Sequence, residues 1–260
     1  MNDQDRDNPQ SPYGELPPSP QRRPAARAQQ VKPTVSTIIL GVTVAMYVLQ
    51  LAARSLTGVQ LVEYYGMKIN ENIIAGEFWR LITPVLLHGS VLHILFNMYA
   101  LYAIGRGLEI QFGNARFLLL YLVTAFTGNV LSFLITPNPS LGASTAIFGI
   151  VAAEGVFIYQ NRELFGGNAR ALLSNTFLIV FLNLAMGATT TGIDNWGHLG
   201  GLLGGVAFAW FAGPLLSLQP SVYGYRVVDE RGIRKAVLVS IAIVVVASLL
   251  VAQKIMLAGG

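Results

Sequence analysis

Two polar residues stand where long apolar stretches begin. Ser144 lies in Leu141-Gly142-Ala143-Ser144-Thr145-Ala146-Ile147-Phe148-Gly149, and His198 in Asn195-Trp196-Gly197-His198-Leu199-Gly200-Gly201. A serine hydroxyl is a weak nucleophile until a base within hydrogen-bond reach takes its proton. A neutral imidazole can be that base near pH 7. The oxyanion that follows needs donors already in place. His93 and Asn97, four residues apart and so on one helix face, can supply them from side chains, and Ser144 from its backbone amide. Gly142 allows a tight turn before the serine. Together these types support acyl transfer through a serine, provided the surrounding elements bring them together. Taken singly each has a plainer reading. A serine at a helix start is usually a cap, and a lone histidine in an apolar helix is usually a packing residue.

The elements that must position them are membrane helices. Of the 260 residues, 53% are hydrophobic and 12% charged, and mean hydropathy is +0.54. A soluble domain carries about 25% charge. There are no cysteines, which excludes disulfides, thiol nucleophiles and thiolate metal sites. The net charge of +4 falls in no basic face with interleaved aromatics, so nucleic acid is not an expected partner. No His-Glu-x-x-His occurs, and no metal or other cofactor is expected. Residues 1–33 hold seven of the twelve prolines and no apolar run, and read as a disordered, Pro-rich cytoplasmic tail. A span needs about 20 mostly apolar residues. Seven segments meet this, at about 34–54, 92–110, 116–136, 143–160, 171–188, 196–216 and 236–256.

An N-terminus in the cytoplasm puts thirteen of the seventeen basic residues inside, leaving Arg54, Lys68, Arg80 and Lys254 outside. The positive-inside rule therefore favours N-in, and seven spans put the C-terminus out. The second, fourth and sixth spans then run inward, so His93, Ser144 and His198 all lie near outer helix ends. Shared depth is what lifts them above the plainer readings. The expected organisation is the tail, a six-span body over 34–216, a basic cytoplasmic loop over 217–235 and an added span in 236–260. The stretch 55–91, rich in Tyr64, Tyr65, Phe78 and Trp79, reads as an interfacial element.

On these residues the chain resembles the rhomboid intramembrane serine proteases. The matching stretches are Glu77-Phe78-Trp79-Arg80-Leu81-Ile82-Thr83-Pro84 leading into Leu87-His88-Gly89-Ser90-Val91-Leu92-His93-Ile94-Leu95-Phe96-Asn97-Met98, then Gly105-Arg106-Gly107-Leu108-Glu109 with Gly113, then Gly142-Ala143-Ser144 with Phe148, and Gly197-His198-Leu199-Gly200-Gly201. The resemblance implies an all-α, six-helix bundle, here with a seventh C-terminal helix, and the short loops and positive-inside pattern point to a bacterial plasma membrane. It implies Ser144 as nucleophile, His198 as base, no acidic third member, and His93 and Asn97 at the oxyanion. It also implies an aromatic, Phe148, packed on His198, structural roles for Arg80 and Glu109, and transmembrane-helix substrates, single-span or other, met in the lipid bilayer.

The family pattern is Gly-x-Ser-Gly, and Thr145 stands where the last glycine is expected. Thr145 could narrow the site, and is the one feature favouring a non-catalytic, client-binding protein of the same fold. Asp194, four residues before His198, reads as a solvated loop charge rather than a triad acid. Glu154, about 15 Å below Ser144 at 1.5 Å per residue, reads as pairing with an inner arginine or a polar contact in the bundle. A transporter would show inverted repeats, and none is evident.

Overall fold

The computed structural model describes residues 32–221 and 224–259. All but the last two residues of the tail expected over 1–33 lie outside the described residues. Helix α1 (Val35–Thr57) is followed by two short helices, α2 (Leu61–Gly66) and α3 (Asn70–Ile74), and by 3-10 turns at Phe78–Leu81 and Thr83–Leu86. Helices α4 (Val91–Ala100) and α5 (Arg106–Phe112) run as one rod through a π-helical stretch at Leu101–Gly105. Then come α6 (Asn114–Ile135), α7 (Ser144–Gln160), the short α8 (Arg162–Phe165), α9 (Ala169–Thr189) and α10 (Asn195–Ala212). Strands β1 (Leu216–Ser221) and β2 (Gly224–Asp229) precede α11 (Ile233–Gly259).

Five helical stretches are long and apolar enough to cross a membrane: Val35–Thr57, Val91–Phe112, Asn114–Ile135, Arg162–Thr189 and Ile233–Ala258. The protein is an integral membrane protein. Helices α7 and α10, of 17 and 18 residues, complete the seven. Contacts at the two ends show how they alternate. The Glu109 carboxylate of α5 accepts from the first amides of α1, Val35 N at 2.7 Å and Ser36 N at 2.9 Å. An anion is favoured there, at the positive end of the helix dipole. At the opposite end, Lys254 of α11 donates to the Phe133 and Leu134 carbonyls that close α6.

Helix α7 is the hub. Its Ala146, Ile147, Ile150, Val151 and Ala153 pack with Phe117, Leu120 and Tyr121 of α6 and with Phe208 and Ala209 of α10. Lipid is as apolar as leucine, so membrane helices gain from close approach rather than from burying grease. The glycines of α10 provide it. A Cβ added at Gly201 would strike the Thr145 carbonyl, and one at Gly205 the Gly149 carbonyl.

The stretch expected as a loop over 217–235 instead holds a β-hairpin, with register from Leu216↔Asp229 to Ser221↔Gly224. Its cause is a polar cluster at its base. Arg116 of α6 donates to Asp229 at 2.8 Å and to the Arg231 carbonyl. Arg231 in turn donates to Gln160 at 3.0 Å and to the Trp210 carbonyl at 2.9 Å. Helix α10 ends at Ala212 and α11 begins at Ile233, so the turn back is built rather than slack.

The segment between α1 and α4 is also folded. Arg80, fully buried, donates to the Tyr64 carbonyl at 2.6 Å and the Met67 carbonyl at 2.9 Å, and pairs with Glu77 at 2.6 Å. That arginine holds the segment shut, while Tyr64, Tyr65, Phe78 and Trp79 stay more than half exposed on its outside.

Candidate active site

Ser144 is the first residue of α7, His198 the fourth of α10 and His93 the third of α4. Three helices therefore present the residues from their first turns. Ser144 Oγ and His198 Nε2 are 2.9 Å apart, within reach for proton transfer. Phe148, one turn below Ser144, stacks on the His198 ring, with centroids 4.2 Å apart and planes 11° from parallel. The stack fixes the imidazole plane, and the serine fixes which nitrogen faces it.

The loop before Ser144 is sewn to the folded segment. Lys68 and Ser140 exchange backbone hydrogen bonds at 2.9 and 3.1 Å, and Gly142 N donates to the Pro84 carbonyl at 2.9 Å. Gly142 has φ +134°, which L side chains rarely adopt. Space forbids a side chain there as well. A Cβ would lie 2.7 Å from both Cε1 and Nε2 of His93. His93 thus comes edge-on to the backbone beside Ser144. Its Nδ1 accepts from Gly89 N at 3.5 Å, which leaves the proton on Nε2, the edge turned toward Gly142.

Asn97 stands apart from this group. Its amide donates to the His93 carbonyl of its own helix at 2.8 Å, and it makes no hydrogen bond to Ser144 or His198. It supports the helix turn that carries His93, with one amide hydrogen left over.

Asp194 is not the solvated charge expected from its place in a loop. Its carboxylate caps α10, accepting from Gly197 N at 2.8 Å, and takes a second bond from the Ser132 hydroxyl of α6. Both oxygens are engaged, and His198 Nδ1 is buried without a partner among the described residues. Among the described residues no carboxylate bonds His198 Nδ1. The Asp at the Ncap position before an apolar helix is a readable capping signal. Glu154 enters neither of the two ion pairs among the described residues, so the expected arginine partner is not found there.

Thr145 does not point into the site. Its methyl group and Cβ fill the space opposite Gly128 of α6 and Gly197 of α10, where any Cβ would meet them at 2.6 to 3.0 Å. The threonine that replaces the family's glycine is therefore accommodated by glycines on two neighbouring helices. Its hydroxyl is buried without a partner.

Lys68 sits deep in the folded segment and donates to the Thr136 carbonyl at 3.1 Å. Burial pushes its ammonium down to about 8, with Asp194 pulling the other way. With Asn70, which donates to the same carbonyl at 3.0 Å, it ends α6 and starts the loop toward Ser144.

The rhomboid domain family model matches residues 75–215, more than half the chain and all the elements that carry the site. The chain belongs to the rhomboid family. It is 37% identical over 206 residues to the rhomboid protease GluP of Bacillus subtilis, covering 79% of this chain and 39% of that protein. It is 32% identical over 160 residues to the chloroplastic RHOMBOID-like protein 9 of Arabidopsis thaliana, covering 59% and 36%. It is 38% identical over 141 residues to Rhomboid-like protease 3 of Toxoplasma gondii, covering 52% of each. The chain thus spans about two fifths to one half of the length of these relatives. Within it, the rhomboid body is followed by the hairpin and α11.

Proposed function

We propose that this rhomboid is an intramembrane serine endopeptidase acting through a Ser144–His198 dyad. The observation that carries the reading is the 2.9 Å contact between Ser144 Oγ and His198 Nε2 within a membrane helix bundle. His198 takes the Ser144 proton as the hydroxyl attacks a scissile carbonyl, then gives it to the leaving amine, and water hydrolyses the acyl-enzyme. We take the His93 Nε2 proton and the Ser144 amide as the oxyanion donors, with the spare Asn97 amide hydrogen as a third, proposed one on the turn below His93. Gly142, free of a side chain, leaves room for the oxyanion.

The substrates are membrane-spanning helices, single-span or other, that unwind locally, since an intact helix hides its carbonyls. A depth near the outer face is supported by helix lengths. Helices α7 and α10, with 17 and 18 residues, are shorter than the 22 of α6 and 23 of α1, so their first turns can start below the outer surface. The basic residues support a cytoplasmic N-terminus and an outward C-terminus, and the relationship to GluP supports a bacterial plasma membrane. The non-catalytic alternative rested on Thr145, whose side chain packs between helices instead of crowding Ser144.

The test is cleavage of a labelled single-span substrate by the purified chain. Wild type is expected to cut, and Ser144→Ala and His198→Ala not to. Cleavage that survives in Ser144→Ala rules the reading out.

A further inference from the structure

Gln50 is a polar side chain in an apolar membrane helix, and it is buried, at 1% exposure. Such residues are costly and call for a partner. Its partner is one backbone unit. Gln50 Nε2 donates to the His88 carbonyl at 3.1 Å, and His88 N donates to Gln50 Oε1 at 3.1 Å. This closed pair fixes the main chain at His88 from α1, a helix that contributes nothing else to the site. Much of α1 faces outward through Ile38, Val42, Val48, Leu49 and Leu51.

The His88 ring, itself buried at 1% exposure, touches both sides of the candidate oxyanion pocket. Its Nε2 accepts from Ala143 N at 3.5 Å, directly before Ser144. Its face meets the His93 ring edge-on, with centroids 4.9 Å apart. The two arms of the pocket come from different elements, the α4 start and the loop into α7. They meet on this one ring. Burial pushes the His88 imidazole down to about 3, so it stays neutral in ordinary buffers and acts as a spacer with an acceptor edge.

We infer that Gln50 is a positioning residue: by clamping His88 it sets the distance between His93 and the Ala143–Ser144 backbone, and so the alignment of the oxyanion donors. The inference rests on the dyad reading above. Gln50 touches no reacting atom, so its effect falls on turnover rather than on substrate capture. A displacement of an ångström in a pocket of this kind costs up to roughly 100-fold in rate.

The experiment uses the full chain and the single-span substrate, with wild type, Gln50→Leu, His88→Ala and the double variant. Gln50→Leu is expected to lower kcat roughly 10- to 100-fold, with KM within about twofold. The rate of fluorophosphonate labelling at Ser144 should fall in step, since that reaction also builds charge on a pocket oxygen. In the His88→Ala background, Gln50→Leu is expected to have no further effect on kcat, because the clamp then has no ring to place.

Wild-type kcat and labelling in Gln50→Leu would overturn the inference, as would full additivity in the double variant. If Gln50→Leu does not fold, Gln50→Asn serves. It keeps a smaller buried amide but withdraws it from His88, so the melting temperature should fall somewhat, while kcat measured well below it should drop, and an unchanged kcat overturns the clamp. A failure of the dyad looks different, because cleavage would then survive in Ser144→Ala whatever Gln50 does.

Discussion

Helices α9 and α10 both pack against α7, and they do so in opposite ways. Along α10 the buried residues are His198, five glycines from Gly197 to Gly205, and then Phe208, Ala209 and Ala212, and over the glycine stretch the backbones come so close that added carbons would strike α6 or α7. Along α9 the buried residues are Ala169, Thr176 and Gly187. Phe177, Leu178, Phe181, Leu182 and Met186 are at least half exposed. One helix carries the proposed base, and its position is fixed by backbone contact. The other carries no proposed chemistry and presents its large side chains outward. Around the proposed base, close approach is thus set by glycine, and bulk enters α10 only further along, at Phe208. Small residues let the main chain itself serve as the stop.

The contrast can be broken or sharpened by substitution. The largest effect is expected at Gly201→Ala. Its new carbon meets the Thr145 carbonyl, and relief requires moving α10 from α7. A loss of about 1–3 kcal/mol in unfolding experiments, with cleavage falling to near background, is the expected outcome. A stable, fully active variant would mean that α10 is not held by backbone contact.

Next comes Asp194→Ala, which removes the α10 cap and the acceptor for Ser132. A loss of about 1–2 kcal/mol is expected, together with slower fluorophosphonate labelling. Asp194→Asn, which keeps an acceptor at the cap, should recover most of both. Equal damage from the two would shift the role of Asp194 from capping to charge.

Thr145→Val is a smaller change with an informative sign. It keeps the shape that fills the space beside Gly128 and Gly197 and deletes a hydroxyl with no partner. Stability should hold or rise by up to about 1 kcal/mol, with cleavage retained. A clear loss in thermal unfolding would show that the hydroxyl is bonded. The smallest effect belongs to α9. Phe181→Ala faces outward at 56% exposure and should change stability by no more than about 0.5 kcal/mol. A loss as large as that of Gly201→Ala would erase the distinction between the two helices.

Much of this organisation was legible in the residues, for physical reasons. Spans show themselves because lipid demands about 20 apolar residues in a row, and Ser144, His198 and His93 stand out because polar groups inside such runs are costly. That they share one end of the bundle was readable from the order of the spans, and the structure carries all three in first helix turns. Other features lacked a local signal. The base of the hairpin is held by Arg116 of the distant α6 and by Arg231, which reaches from beside β2 to Gln160 and the Trp210 carbonyl. The room for Thr145 is made by Gly128 and Gly197, on two other helices. Gln50 is one amide in an apolar run, and only the fold shows that it faces His88. Asp194 did carry a signal, as an Ncap residue, but its place in a short loop reads equally as a solvated charge.

The central claim is that His198 activates Ser144. Its most direct test is fluorophosphonate labelling of the purified chain with the modified residue identified by mass spectrometry. Wild type is expected to label at Ser144, while Ser144→Ala stays unlabelled and His198→Ala labels at background rate. Labelling of His198→Ala at the wild-type rate, or at a residue other than Ser144, would contradict the account.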